Sequence, residues 1–249
     1  MIKVICTDSY EALCKQVSRV FAAQITLKPN STLGLATGST PIGVYSELAQ
    51  MVAEGRLSFS QVQTVNLDEY VGLGAEDDQS YRYFMNHQLF DRVDIDKSRT
   101  HVPNGLAQDP QAEAARYEQL VASMGGVDIQ LLGIGNNGHI GFNEPCDHFP
   151  MQTHTVALTE STIQANARFF ADASQVPTQA ITMGIGTIFS AKKIILMANG
   201  PKKAQILLDT VAGPVTPQVP ASILQLHPDA TVYCDAEAGA LLRQHGLVD

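Results

Sequence analysis

The sequence contains no tryptophan, few basic residues and no long apolar run. Its 16 lysines and arginines are outnumbered by 25 aspartates and glutamates, so the formal net charge is −9. Such a chain lacks the basic surface that binding to nucleic acid or to an anionic membrane requires. No stretch approaches the roughly 20 apolar residues of a membrane span, and residues 1–16 are too polar after position 7 for a secretory signal. These absences predict a cytoplasmic protein that binds a small molecule.

Cysteine is scarce as well. Cys6, Cys14, Cys146 and Cys234 form no CxxC pair and have no zinc-site spacing, so we expect free thiols in a reducing compartment. The histidines other than His139 also lack the spacing of metal ligands, and no metal is predicted. Any anionic ligand of this acidic chain has to be bound by a local group of cations or N–H donors.

Short apolar runs alternate with amphipathic segments along the 249 residues. Strands are predicted at 2–7, 32–37, 62–68, 129–135, 193–200 and 230–235. Several of these runs are apolar throughout, as in a parallel sheet that is covered on both faces. With no linker or internal repeat, the pattern predicts one domain over 1–249. Its expected fold is α/β and Rossmann-like, with a doubly wound, mostly parallel sheet and helices on both faces.

Three glycines with the spacing of a dinucleotide-binding turn, Gly133, Gly135 and Gly138, follow the fourth predicted strand. Such a turn also needs a helix that starts at once and an acid about 20 residues later. Residues 139–151 have two prolines and no helical period, and the acid is missing. The sequence therefore predicts that this turn binds no NAD. Five polar residues surround the glycines and indicate a reaction site there: Asn136, Asn137, His139, Asn143 and Glu144.

The segment 35–48 reads LATGSTPIGVYSEL and follows the second predicted strand. Gly38 permits a bend, Ser39 and Thr40 are residue types that cap helices, and Pro41 suits a first helical turn. Free N–H groups and the helix dipole would make this turn a site for an anion such as phosphate. A well-capped helix without a ligand explains the same residues equally well. The motif of a P-loop is absent, which disfavours a nucleoside triphosphate.

Two further groups of titratable residues follow predicted strands. Asp68 comes where the third strand ends, and partial burial there would raise its pKa and make it a general base; a solvated turn acid is the alternative. His139 and Glu144 are close enough on one loop to pair, and His139 could then transfer protons. A structural histidine bonded to a loop carbonyl is the alternative for His139.

Lys202 and Lys203 occupy the first turn of a predicted helix, where the helix dipole disfavours cations unless an anion binds nearby. Arg168 precedes an apolar pair and is by itself most simply an exposed, salt-bridged residue. A phosphate site, a carboxylate base and a His–Glu pair together suit proton abstraction next to a carbonyl of a small phosphorylated molecule, as in an isomerase or lyase.

Four motifs occur in a characteristic order: ATGSTP at 36–41, NLDEY at 66–70, GIGNNGHIGFNEP at 133–145 and SILQLHP at 222–228. They resemble the glucosamine-6-phosphate deaminase family over residues 4–234. The resemblance implies a Rossmann-like fold that binds no NAD. It also implies conversion of glucosamine 6-phosphate and water to fructose 6-phosphate and ammonia without a cofactor.

The resemblance implies roles for individual residues. Asp68 would be the base that moves a proton between C2 and C1, and His139, supported by Glu144 and Asn137, would open the pyranose ring. The phosphate would be held by a separate set of residues: Gly38, Ser39, Thr40, Arg168 and Lys203. The segment 146–170 would be a mobile lid over the substrate.

Two departures from the longer, hexameric members of that family matter. Those members have an Asp at the position of Asn137, so His139 is expected in a less acidic setting here. They also bind an activator, N-acetylglucosamine 6-phosphate, through basic residues, whereas 146–158 contains no Arg or Lys. The sequence therefore predicts no such activation and a monomer or small homo-oligomer. A 6-phosphogluconolactonase and, more distantly, a non-catalytic sugar-phosphate sensor are the alternative functions.

Overall fold

The computed structural model describes residues 2–159, 163 and 176–248. The strands of these residues are β1 (Lys3–Cys6), β2 (Thr32–Leu35), β3 (Gln63–Asn66), β4 (Asp68–Tyr70), β5 (Thr100–His101), β6 (Ile129–Leu132), β7 (His154–Ala157), β8 (Gln179–Thr182), β9 (Ile194–Ala198) and β10 (Ala230–Cys234). The α-helices are α1 (Tyr10–Leu27), α2 (Ile42–Ala53), α3 (Tyr81–Gln88), α4 (Pro110–Ser123), α5 (Ile185–Phe189), α6 (Ala204–Ala212) and α7 (Ala240–Gln244).

Seven strands form the main sheet in the order β1-β10-β9-β6-β2-β3-β5, and every pair in it is parallel. The prediction of a doubly wound, mostly parallel sheet is confirmed, and each of the six predicted strands contains one strand of this sheet. The sequence missed β5, which has two residues at the sheet edge and therefore shows no periodicity of its own.

Helices cover both faces of the sheet. Neighbouring side chains of a strand point to opposite faces, so each strand contributes apolar residues to both sides. In β9, Ile195 and Met197 pack into one apolar cluster, while Ile194 and Leu196 pack into another. The first cluster includes the apolar face of α1, on which Leu13 and Val17 are buried. Such two-sided burial explains why a strand such as β9 is apolar throughout.

A second sheet was not predicted. It has three antiparallel strands in the order β4-β8-β7. The apolar pattern at 62–68 indicated one strand, but the chain leaves the main sheet after Asn66 and enters the small sheet at Asp68. There Asp68 lies opposite Thr182, which in turn lies opposite His154. The small sheet thus holds Asp68 next to the carboxyl end of β3.

The lid expected at 146–170 lies partly outside the described residues, which contain 146–159 and 163 of it. Its described part includes β7, a strand of the small sheet. The lid stays a prediction. Among the helices of the described residues, none combines the length and apolar character needed to cross a membrane.

All four cysteines are free thiols, as predicted.

Candidate active site

A cavity of about 880 Å³ opens at the carboxyl ends of β2, β3, β6 and β9. It brings together segments that are distant in sequence, as expected for a doubly wound sheet. Seven of the predicted site residues line it: Gly38, Ser39, Thr40, Asp68, Asn137, His139 and Lys203. Glu144 does not line the cavity, but its carboxylate contacts the imidazole of His139, which does. Arg168 lies outside the described residues, and its role stays a prediction.

Asp68 is the buried acid of this cavity, with 6% of its surface exposed. Within the described part of the chain, no donor forms a hydrogen bond to its carboxyl group. Burial without such donors, and then the charge of Glu69, raise the pKa of Asp68 to about 8. A carboxyl group with this pKa loses its proton around pH 8 and can work as a general base there. The alternative of a solvated turn acid is therefore wrong.

Glu69, the next residue, has a structural task. Its carboxylate accepts the N–H groups of Tyr70, Tyr81 and Arg82, each at 2.9 Å. Two of these N–H groups belong to the first turn of α3, which has no helical partner for them. Burial raises the pKa of Glu69 to about 7, although the three N–H groups oppose the shift. The two adjacent acids thus differ, because one faces the cavity and the other caps a helix.

The glycine spacing at 133–138 leaves room for the ring of His139. A Cβ atom on Gly135 would lie 2.3 Å from Cε1 of the His139 ring, so the imidazole rests directly on the glycine backbone. Gly138 has a φ of +86°, a conformation that side chains disfavour, and it forms the turn that returns the chain over Gly135. Residues 139–153, which follow this turn, contain no helix. The loop therefore differs from a dinucleotide-binding turn in the way that the sequence indicated.

His139, Glu144 and Asn137 form one group. Nδ1 of His139 lies 3.3 Å from Oε2 of Glu144, which is an ion-pair distance when the imidazole is protonated. The side-chain amide of Asn137 donates to the same Oε2 at 2.5 Å. Oδ1 of Asn137 accepts the backbone N–H of His139 at 3.3 Å. An aspartate at position 137 could not donate to Glu144 without carrying a proton. Asn137 therefore favours the charged carboxylate beside His139.

The turn at residues 38–41 lies at the opposite end of the cavity. Gly38 has a φ of +91°, which makes the bend. The helix α2 begins at Ile42, and Pro41 occupies its cap position without a side-chain hydrogen bond. The expectation that Ser39 or Thr40 caps this helix is wrong. No acceptor in the described part of the chain pairs with the N–H groups of Ser39 and Thr40, so both can donate to an anion.

Lys203 reaches across to the His139 loop. Its Nζ donates to the Ile134 carbonyl and to Oδ1 of Asn136, each at 2.7 Å. An ammonium group has three N–H donors, so one is left for a ligand. Burial lowers the pKa of Lys203, and a bound anion would counter that effect. Lys202, from the same turn, also lines the cavity.

Among the residues that line the cavity, sequence reasoning gave no role to Tyr81, Phe142 and Asn199. Asn199 directly follows β9, and Thr40 donates to its Oδ1 at 2.8 Å. The strand-end rule that selected the other residues applies to Asn199 as well. Tyr81 and Phe142 have rings that lie nearly parallel, at 10°, with their centres 6.1 Å apart. Nothing local in the sequence indicates that contact.

A possible group of metal ligands occurs elsewhere among the described residues. Cys146, Asp147 and His148 offer ligand atoms within 4.8 Å of one another, and none of the three is buried. They do not line the cavity described above. The absence of a metal stays a prediction.

The family model for glucosamine-6-phosphate isomerases and 6-phosphogluconolactonase matches residues 7–233. The chain belongs to this family. A family member from Lachnoclostridium phytofermentans, named glucosamine-6-phosphate deaminase, is 58% identical over 233 residues, which cover 94% of this chain and 99% of that protein. The chain is accordingly an enzyme of this family, and the predicted resemblance is confirmed.

Solved structures of family members agree with this placement. One described as a monomeric glucosamine-6-phosphate deaminase has a TM-score of 0.94 and 49% identity, and the match covers 96% of this chain and all of that chain. A 6-phosphogluconolactonase from Trypanosoma cruzi has a TM-score of 0.75 at 21% identity, with 97% of each chain covered. This second likeness shows a shared fold alone.

Proposed function

We propose that this enzyme converts glucosamine 6-phosphate and water to fructose 6-phosphate and ammonia. The observation that carries the proposal is the placement of a buried base, Asp68, and of the His139–Glu144 pair in one cavity with a donor-rich turn. Relatives with 49–58% identity are named for this deaminase activity. A sensor without catalysis would not need a buried carboxyl group that receives no hydrogen bond from the described residues, because such a group costs stability.

The first chemical step assigned to the site is ring opening. His139 takes the proton of the C1 hydroxyl group and returns a proton to the ring oxygen, which exposes the C1 aldehyde. The charged carboxylate of Glu144, 3.3 Å away, stabilises the imidazolium form in between. General acid–base catalysis of this kind typically contributes about 10²- to 10⁴-fold in rate.

Asp68 then moves a proton. Its carboxylate removes the C2 proton of the open chain, which gives an intermediate with a C1–C2 double bond, and returns the proton to C1. As the C2 amine becomes an imine, its nitrogen gives up one proton and the C1 oxygen gains one to become a hydroxyl group. Water then adds to the imine before ammonia leaves. The atoms of glucosamine 6-phosphate and water equal those of fructose 6-phosphate and ammonia, so no cofactor is needed for the balance.

The phosphate belongs at the other end of the cavity. The N–H groups of Ser39 and Thr40 and the third N–H of Lys203 can donate to its oxygens, and charge-assisted hydrogen bonds are the stronger kind. Arg168 is a further proposed ligand. We also infer a monomer or small homo-oligomer, since one similar protein is described as monomeric.

The test follows ammonia release from glucosamine 6-phosphate by the wild type and by Asp68→Asn. We expect ammonia from the wild type and a loss of about 10³-fold or more in the variant, because a general base is removed. Glu76→Gln removes an exposed carboxylate and should keep the activity. Release of no ammonia, with hydrolysis of 6-phosphogluconolactone instead, would replace the deaminase proposal with the lactonase alternative.

A further inference from the structure

Thr182 occupies the point where the small sheet meets the His139 loop. It is the last residue of β8, fully buried, and lies directly opposite Asp68 in the antiparallel pair with β4. Its hydroxyl oxygen accepts the N–H of Phe142 at 3.0 Å. Phe142 lies between His139 and Glu144 in the chain. One hydroxyl group therefore joins β8, the strand paired with the one that carries the base, to the loop that carries the acid–base pair.

Gly141 shows how closely these groups approach. A Cβ atom on Gly141 would lie 2.9 Å from the Thr182 hydroxyl oxygen and 3.6 Å from Oδ2 of Asp68. The loop backbone, the threonine hydroxyl and the Asp68 carboxyl group thus converge at one glycine. Its φ of +57° adds a second reason why a side chain is disfavoured there.

The neighbouring residue extends the same link. The Met183 N–H donates to the carbonyl of Leu67 at 2.7 Å, and the Met183 carbonyl accepts from the Asn143 amide at 2.8 Å. Residues 182 and 183 therefore hold the residue before Asp68 on one side and the residue before Glu144 on the other. No comparable contact from these two residues reaches the turn at 38–41. The phosphate end meets the His139 loop through Lys203, which bonds Ile134 and Asn136, on the far side of His139 from Phe142.

We propose that Thr182 is a positioning residue that fixes the separation between Asp68 and the His139–Glu144 pair. The proposal rests on the proposed function, in which these groups act in turn on one substrate. Thr182 touches no reacting atom; it acts through the Phe142 N–H, which is buried and has its partner in this hydroxyl group. Loss of the acceptor leaves that N–H unpaired and shifts the loop that carries His139.

The experiment compares Thr182→Val, which keeps the shape and removes the acceptor, with Thr182→Ser, which keeps the acceptor. For Thr182→Val we expect kcat for ammonia release to fall about 100-fold, as misplacement by about 1 Å can do. KM should change less than about threefold, because the contacts of Lys203 with Ile134 and Asn136 do not involve Thr182 or Phe142. Thr182→Ser should retain kcat within about threefold of the wild type.

Thr64→Val is the matched control. Thr64 is equally buried in β3, and its hydroxyl group has no partner among the described residues. The same substitution there should leave kcat and KM close to wild type. If Thr182→Val does not fold, Thr182→Ala replaces it, and the same fall in kcat is expected. A kcat within threefold of wild type in a folded Thr182→Val or Thr182→Ala, or an equal loss in Thr64→Val, overturns the proposal.

Amide hydrogen exchange at Phe142 provides a readout that needs no activity. We expect protection in the wild type and in Thr182→Ser, and faster exchange in Thr182→Val. Unchanged protection in the valine variant refutes the positioning role. If the wild type released no ammonia, the proposed function would fail, yet the exchange measurement would still decide whether Thr182 holds the loop.

Discussion

The imidazole of His139 lies against the backbone of Gly135, so close that a single added carbon on the glycine would lie 2.3 Å from the ring. This contact explains a glycine spacing that otherwise resembles a dinucleotide-binding turn. It also presents the ring to the cavity while Glu144 approaches Nδ1 from the other side.

Gly135→Ala should therefore displace the His139 ring. We expect kcat to fall about 10²-fold or more, since even a small displacement of an acid–base group has this effect. The backbone of Gly135 has no positive φ, so the loss comes from the clash rather than from strain. Gly133→Ala makes the same change on the same loop where a Cβ atom meets nothing within 4 Å, and it should lose far less. Steady-state kinetics of both variants measure the difference, and equal losses would contradict the role of the contact.

The pH dependence should report Asp68. A base must be ionised, and the pKa of Asp68 is raised to about 8. We expect kcat/KM to rise about tenfold per pH unit below this value and to level off above it. The profile for ammonia release between pH 6 and 9.5 measures this. A profile that is flat or falls between pH 6 and 8 would show that another group is the base.

Stability should show the opposite dependence. Asp68 holds its proton more tightly in the folded chain than in the unfolded chain, where its pKa is near 3.8. Its contribution to stability is therefore fully present below pH 3.8 and is lost as the pH rises through about 8. Asp68→Asn, which cannot ionise, should melt at a higher temperature than the wild type at pH 9, and its advantage should be clearly smaller at pH 5.

Calorimetry or circular dichroism at both pH values measures that difference. In a chain of this size each kcal/mol corresponds to about 2–4 °C in melting temperature. Glu76→Gln, with an exposed carboxylate, should show no such dependence. A lower melting temperature for Asp68→Asn at pH 9 would mean that the burial of Asp68 does not destabilise the charged form.

Asn199 should contribute to binding of the phosphorylated end of the substrate. Thr40 donates to its Oδ1, which leaves the amide N–H groups as donors in the cavity. Asn199→Ala should raise KM about tenfold, as expected for one hydrogen bond to a charged group, with a smaller effect on kcat. Asn199→Asp should raise KM further because a carboxylate repels phosphate. An unchanged KM in Asn199→Asp would place the phosphate elsewhere.

The absence of Arg and Lys from 146–158 predicts no activation by N-acetylglucosamine 6-phosphate. Rates plotted against substrate concentration should be hyperbolic and should not increase when this compound is added. A sigmoidal curve that becomes hyperbolic in its presence would contradict the prediction.

The sequence by itself determined six of the seven strands of the main sheet and placed the candidate site at their carboxyl ends. Several strands of the main sheet are buried on both faces, and a run such as 193–200 records that burial directly. Because parallel strands align their carboxyl ends, the polar residues after β2, β6 and β9 had to meet. This is why Ser39, His139 and Lys203 could be placed in one site from the sequence alone.

Only the tertiary structure decided the environment of Asp68 and the contacts that position His139. Asp68 lies in a separate antiparallel sheet, and its burial and raised pKa depend on residues far away in the chain. The Thr182 hydroxyl meets the Phe142 N–H across 40 residues of sequence. Neither residue carries a periodic pattern that would indicate the contact. Burial of polar groups and hydrogen bonds between distant segments arise from packing of the whole chain, so they are not encoded in any local stretch of it.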